Sequence, residues 1–151
     1  MIASCHLQQT RRSKPLIMKH KKHENKIYRA ETAALGQIDD HVATECIRRF
    51  APSGFPTHLA IHDVSITKTR DTEIYSSEHS HMDHDEINIL LSKSELVYRI
   101  SLDDEVYEVS APVAVWIPAG TRHSANVLAG EGFFICMRMA AVSAASTPAT
   151  E

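Results

Sequence analysis

The chain changes its hydrophobic period once. Between residues 37 and 50 the apolar positions Ile38, Val42, Cys46 and Phe50 recur every four residues, with Asp39, Asp40 and the pair Arg48–Arg49 on other faces. This spacing predicts a short helix over Gln37–Phe50, with acids at its start and arginines at its end, as the helix dipole favours. Ala51-Pro-Ser-Gly-Phe-Pro56 stops it, because two prolines and a glycine cannot continue a helix. From there to residue 139 the period stays near 2, which predicts strands at about His58–Thr67, Glu73–His79, Glu86–Leu91, Glu95–Ser101, Glu105–Val109, Val113–Ile117, His123–Leu128 and Phe133–Met139. The linkers are short and polar or carry Gly or Pro, as in Pro118-Ala-Gly120 and Ala129-Gly-Glu-Gly132. Short linkers favour antiparallel neighbours, and strands of this number and length suggest a mainly β barrel or jelly-roll sandwich behind a short N-terminal helix.

Composition narrows the class. A chain of 151 residues, 43% hydrophobic and 23% charged, suits one globular domain. No stretch approaches the ~18 consecutive apolar residues of a membrane helix, so no membrane partner is expected. Cys5, Cys46 and Cys136 are too scattered for a disulfide framework, and no leader pattern precedes the first apolar stretch; the expectation is a cytoplasmic protein. Charge is uneven: residues 1–30 carry a net +7 and the remainder −10. That basic stretch reads as a solvated, flexible arm, a tether or a targeting peptide, and Met18-Lys-His-Lys-Lys reads as an alternative start. It lacks the interleaved aromatics that would stack bases, which argues against nucleic acid as a partner. The expected organisation is an arm over 1–30, one domain over 31–140 with its barrel at about 57–139, and a frayed tail over 141–151.

The chain holds 10 histidines, and three fall within the segment Glu78-His-Ser-His-Met-Asp-His-Asp-Glu86. On a strand, His79 and His81 project from the same face. A turn through Met82–Asp85 folds Glu86 back beside them, and two imidazoles with one carboxylate form a facial set for Fe(II), Mn(II), Ni(II) or Zn(II). Alone, this pattern reads equally well as a solvated His/Asp-rich turn. A second segment, Trp116-Ile-Pro-Ala-Gly-Thr-Arg-His-Ser-Ala-Asn126, runs a strand into a Pro-x-Gly turn with His123 three residues beyond it.

Together the two segments resemble the paired motifs of the cupin superfamily, His79-x-His81-x4-Glu86 and Pro118-x-Gly120-x2-His123-x2-Asn126. Asn126 stands one residue closer to the histidine than in the family pattern. Ser92-Lys93 and Ala111-Pro112 stand where the family carries glycines. The resemblance implies a double-stranded β-helix (a jelly-roll barrel) and one divalent metal, Fe(II) before Mn, Ni or Zn, held by His79, His81, Glu86 and His123. Such a centre leaves two of six octahedral positions open for a small polar organic substrate, alone or beside O2. An oxygenase is the first functional expectation, a lyase or isomerase the second, and a non-catalytic ligand-binding cupin the third.

Strand parity adds candidates. If Glu86 faces inward, Asn88 and Leu90 do too, while Ile87, Ile89 and Leu91 face out. Phe134, Cys136 and Arg138 share one face; Leu96, Tyr98 and Ile100 oppose Val97, Arg99 and Ser101. Asn88, Arg138 and Arg99 are candidate substrate contacts, and whichever arginine faces inward would fork onto a carboxylate. His84 and Tyr98 are candidate proton carriers, with His84 also readable as a substitute ligand or an exposed turn residue paired with an acid. Tyr107 is a third candidate base, Trp116 is expected in the core, and His58 and His62 either line the cavity or face solvent. The outward apolar positions suggest a homodimer.

Overall fold

Alternating burial gives the chain its strands. The computed structural model describes residues 22–66 and 74–141. Most of the basic arm and all but Ala141 of the tail lie outside the described residues. The strands, in chain order, are β1 (Ala30–Ala33), β2 (Ile47–Pro52), β3 (Leu59–Ile66), β4 (His84–Leu91), β5 (Leu96–Leu102), β6 (Glu105–Ser110), β7 (Val113–Ile117) and β8 (His123–Ala140). Ala60, His62 and Val64 of β3 are buried in alternation, as are Glu86, Asn88 and Leu90 of β4 and Leu96, Tyr98 and Ile100 of β5. All pairings are antiparallel.

The eighteen-residue β8 organises the barrel. Its first half, from His123 to Gly130, pairs with β5, which in turn carries β6. Its second half pairs with β3 on one side and β4 on the other, giving the order β1-β2-β3-β8-β4-β7. The strand changes partners through Gly130 at φ +92°, where a Cβ would stand 2.1 Å from the Glu95 carbonyl oxygen. Only glycine fits so close a backbone approach at a positive φ. Leu35, Ile47, Val64, Tyr75, Leu90, Leu96, Tyr98, Ile100, Val127 and Phe134 fill the interior.

Four expectations are corrected. No helix spans Gln37–Phe50: a 3-10 turn at Leu35–Gln37 is followed by an isolated bridge at His41 and then by β2. A four-residue repeat is a multiple of both 2 and nearly of 3.6, and pairing of Ile47–Phe50 with β3 decides for the strand. The described part of the segment before His79 is not a strand: Ser76 bridges His41, His79 bridges His123, and Asn126 of β8 holds the Tyr75 and Ser76 backbone. The last two predicted strands are one, because the glycines of Ala129–Gly132 bend it without ending it. Trp116 is 55% exposed on the outer face of β7, not in the core.

Candidate metal centre

His79 and His123 are locked side by side by the backbone. His79 N donates to His123 O at 3.0 Å and His123 N to His79 O at 2.8 Å. Gly120 N donates to His81 O at 2.6 Å, which ties the Pro-x-Gly turn to the first histidine segment. Asn126, buried, clamps the preceding stretch: its Oδ1 accepts from Tyr75 N and Ser76 N, and its Nδ2 donates to Ser76 O. Asp85, also buried, accepts from Trp116 Nε1 and Ala119 N, joining β4 to the turn. These contacts hold the two motif segments in one register.

The imidazoles converge. His79, His81 and His123 present nitrogen donors within 4.8 Å of one another. His79 Nδ1 bonds Ser77 O and His123 Nδ1 bonds Thr121 O, each at 2.9 Å. A carbonyl only accepts, so both rings carry the proton on Nδ1 and keep the Nε2 lone pair free. His123 Nε2 is buried with no hydrogen-bond partner among the described residues. Glu86 brings one oxygen 3.5 Å from His81 Nε2 and the other 3.7 Å from His123 Nε2. Ligands each about 2.1 Å from one ion stand roughly 3–4 Å apart, so the donor set fits a divalent metal.

Electrostatics agree with that reading. Burial, then Arg138, lowers the His81 pKa to about 4, and burial lowers that of His123 too, so both rings are neutral, the form in which an imidazole can bind a metal. Burial pushes Glu86 up, but the Asn88 amide and His123 hold it below the usual carboxylate value. It is therefore an anion.

The candidates separate into groups. Asn88 Nδ2 donates to Glu86 Oε1 at 2.8 Å; it aims the carboxylate rather than lining the cavity. Arg138 lines the cavity and donates from Nη2 to His81 Nε2 at 3.2 Å. Arg99 does not: the parity that buries Tyr98 turns it to the outer face, 3.6 Å from Glu108. Tyr98 is fully buried in the core, stacked on Phe134 with its hydroxyl 3.4 Å from that of Tyr75, which removes it as a proton carrier to the cavity. His84 stacks on His81 at 4.4 Å and pairs Nδ1 with Asp83 at 2.6 Å, away from the cavity lining. Tyr107 is exposed and bonds Glu105.

The cavity beside the histidines has a volume of about 40 Å³ and is lined by His41, His58, His62, Tyr75, Cys136 and Arg138 among others. His58 and His62 thus face inward. His41 on the cavity wall, Asp85 beneath the Pro-x-Gly turn and Arg49 across the strand pair from His62 escaped sequence reasoning, because long-range packing and not a local motif places them.

Among known proteins, no family model and no curated sequence matches the chain. Solved structures do. Pac13, described as a unique nucleoside dehydratase, is 12% identical over 83% of this chain and 86% of its own, with a TM-score of 0.52. KdgF from Halomonas sp. is 18% identical over 68% and 87% of the two chains, TM-score 0.49. An RmlC-like cupin from Shewanella frigidimarina is 13% identical over 68% and 83%, TM-score 0.46. With its β8-centred barrel and paired histidine segments, this chain has a cupin-like fold.

Proposed function

We propose that the protein is a metal-dependent cupin enzyme, an oxygenase acting on a small polar organic molecule, with His79, His81, Glu86 and His123 holding one Fe(II). The observation that carries this reading is the convergence of three imidazole donors within 4.8 Å on the wall of a cavity. Iron(II) there supplies Lewis acidity and the electrons for O2 chemistry. The chain's own groups do the rest. Glu86, kept anionic by Asn88, offsets the metal's charge, and Arg138 orients an acceptor group of the substrate. The apolar ring of Phe134 and the Ala60 and Ala125 side chains limit water beside the reacting molecule.

A lyase or isomerase using Mn, Ni or Zn is the second reading, favoured by one observation. His58 lines the cavity with its pKa lowered to about 4 by burial and by Arg138, so it is a neutral base placed to accept a proton. Metal content of protein purified without an affinity tag separates the two. Near-stoichiometric iron, lost in His123→Ala, supports the oxygenase; zinc, nickel or manganese supports the second reading. If neither protein holds metal after anaerobic reconstitution, the metal reading fails. The apolar outer face of the β4–β8 sheet supports a homodimer.

A further inference from the structure

The cavity wall that the four metal-ligand candidates do not use has donors in excess of acceptors. His62 is 2% exposed, and neither Nδ1 nor Nε2 has a hydrogen-bond partner among the described residues. A neutral imidazole offers one donor and one acceptor, and a native fold seldom buries both unmatched. The ring is fixed by stacking on Phe134 at 5.5 Å and by the edge of Tyr75 at 6.2 Å. It presents a rigid polar edge to a cavity of about 40 Å³, where one water needs roughly 10–15 Å³.

One cation stands beside it and a second lines the same cavity. Arg49 is in register with His62 across β2 and β3 and so shares its face; its Nε is buried without a partner, and no carboxylate of the described residues pairs with it. Arg138 lines the cavity with its own Nε unpartnered, and Glu86 stands no nearer to it than 4.0 Å. The only carboxylate lining the cavity among the described residues is Glu86, already engaged with Asn88 and facing His81 and His123. Burial holds His62 neutral, so the ring can accept as well as donate.

We infer that His62, with Arg49 beside it across the strand pair and Arg138 on the same cavity wall, recognises the anionic end of a small organic acid, the substrate class of this centre. The inference rests on reading the cavity as a substrate pocket. Its test is independent of the metal: the full chain, labelled with 15N-histidine and treated with chelator, is titrated with glycolate and with its uncharged counterpart glycolamide. Glycolate is expected to move the His62 ring nitrogens and to bind at least about tenfold more tightly than glycolamide, since charge-assisted hydrogen bonds are the stronger kind. His62→Phe keeps the ring stack and removes both nitrogens; it is expected to lose about tenfold or more in glycolate affinity, with zinc affinity within about twofold of wild type. His62→Gln restores part of the loss, and Arg49→Met weakens glycolate with the ring intact.

Unmoved His62 nitrogens, equal binding of glycolamide, or full glycolate affinity in His62→Phe would each overturn the assignment. So would a parallel loss of zinc in that variant, which would mark a merely structural role. Failure of the wild type to bind zinc while glycolate still moves His62 would remove the metal reading and leave this one standing.

Discussion

Two carbonyls decide which nitrogen His79 and His123 can give to a metal, and the lack of a hydrogen-bond partner among the described residues makes His62 a different kind of histidine. Its pKa is lowered to about 3, by burial first and then by His41, Arg49 and His58. In the unfolded chain the same ring titrates near 6.5. Below about pH 6.5 the unfolded form therefore binds a proton that the native form refuses, and stability falls with pH until about 3. The slope approaches about 1.4 kcal/mol per pH unit for the one group. Urea unfolding at pH 7, 6 and 5 should show falling midpoints, with a shallower dependence in His62→Phe; equal slopes in the two proteins would sink this account. Arg138 gives a second residue-level expectation. It occupies the His81 lone pair and adds positive charge, so Arg138→Met should bind zinc several-fold more tightly by calorimetry, whereas unchanged or weaker binding would show that it does not compete.

β8 is the element on which the site depends, because one strand supplies His123 and Asn126 in its first half and Cys136 and Arg138 in its second. The turn of its path at Gly130 is testable. Gly130→Ala puts a Cβ 2.1 Å from the Glu95 carbonyl oxygen at φ +92°, and should cost more than about 4 kcal/mol, leaving the chain unfolded or insoluble. Gly54→Ala, also at positive φ but with nothing within 4 Å, should cost only about 1–2 kcal/mol. If both variants unfold alike by circular dichroism, the close approach is not what fixes the strand. Gly130 also shows where sequence reading stopped. Period-2 alternation located β3 to β7 within two residues, but a glycine pair in a linker looks the same whether it ends a strand or bends it. The four-residue spacing of Ile38 to Phe50 could not separate helix from strand, and only pairing with β3 did. The histidine motifs were legible because their ligands are local in sequence. Asp85, Arg49 and His41 were not, since their partners lie far along the chain or, for Arg49, only across a strand pair.

At the scale of the molecule, the face turned away from the cavity is apolar across four strands. Cross-strand neighbours place Ile87 between Trp116 and Met137, Ile89 beside Ile135, and Leu91 beside Phe133, with Leu59 and Ile61 continuing the surface on β3. Leu91, Trp116, Phe133 and Met139 are 45%, 55%, 47% and 38% exposed. Contiguous exposed apolar surface of this kind marks an interface more often than bare solvent. No α-helix covers it among the described residues, so we propose that a second copy of the chain covers it about a two-fold axis. Light scattering after size exclusion should give twice the 16.8 kDa of the monomer. Leu91→Lys with Phe133→Lys sets two like charges opposite each other on that face, and should give a monomer with unchanged zinc affinity, because both side chains point away from the histidines. A wild-type mass near 16.8 kDa would remove the dimer outright. A charged double variant that stays dimeric would move the interface to another face.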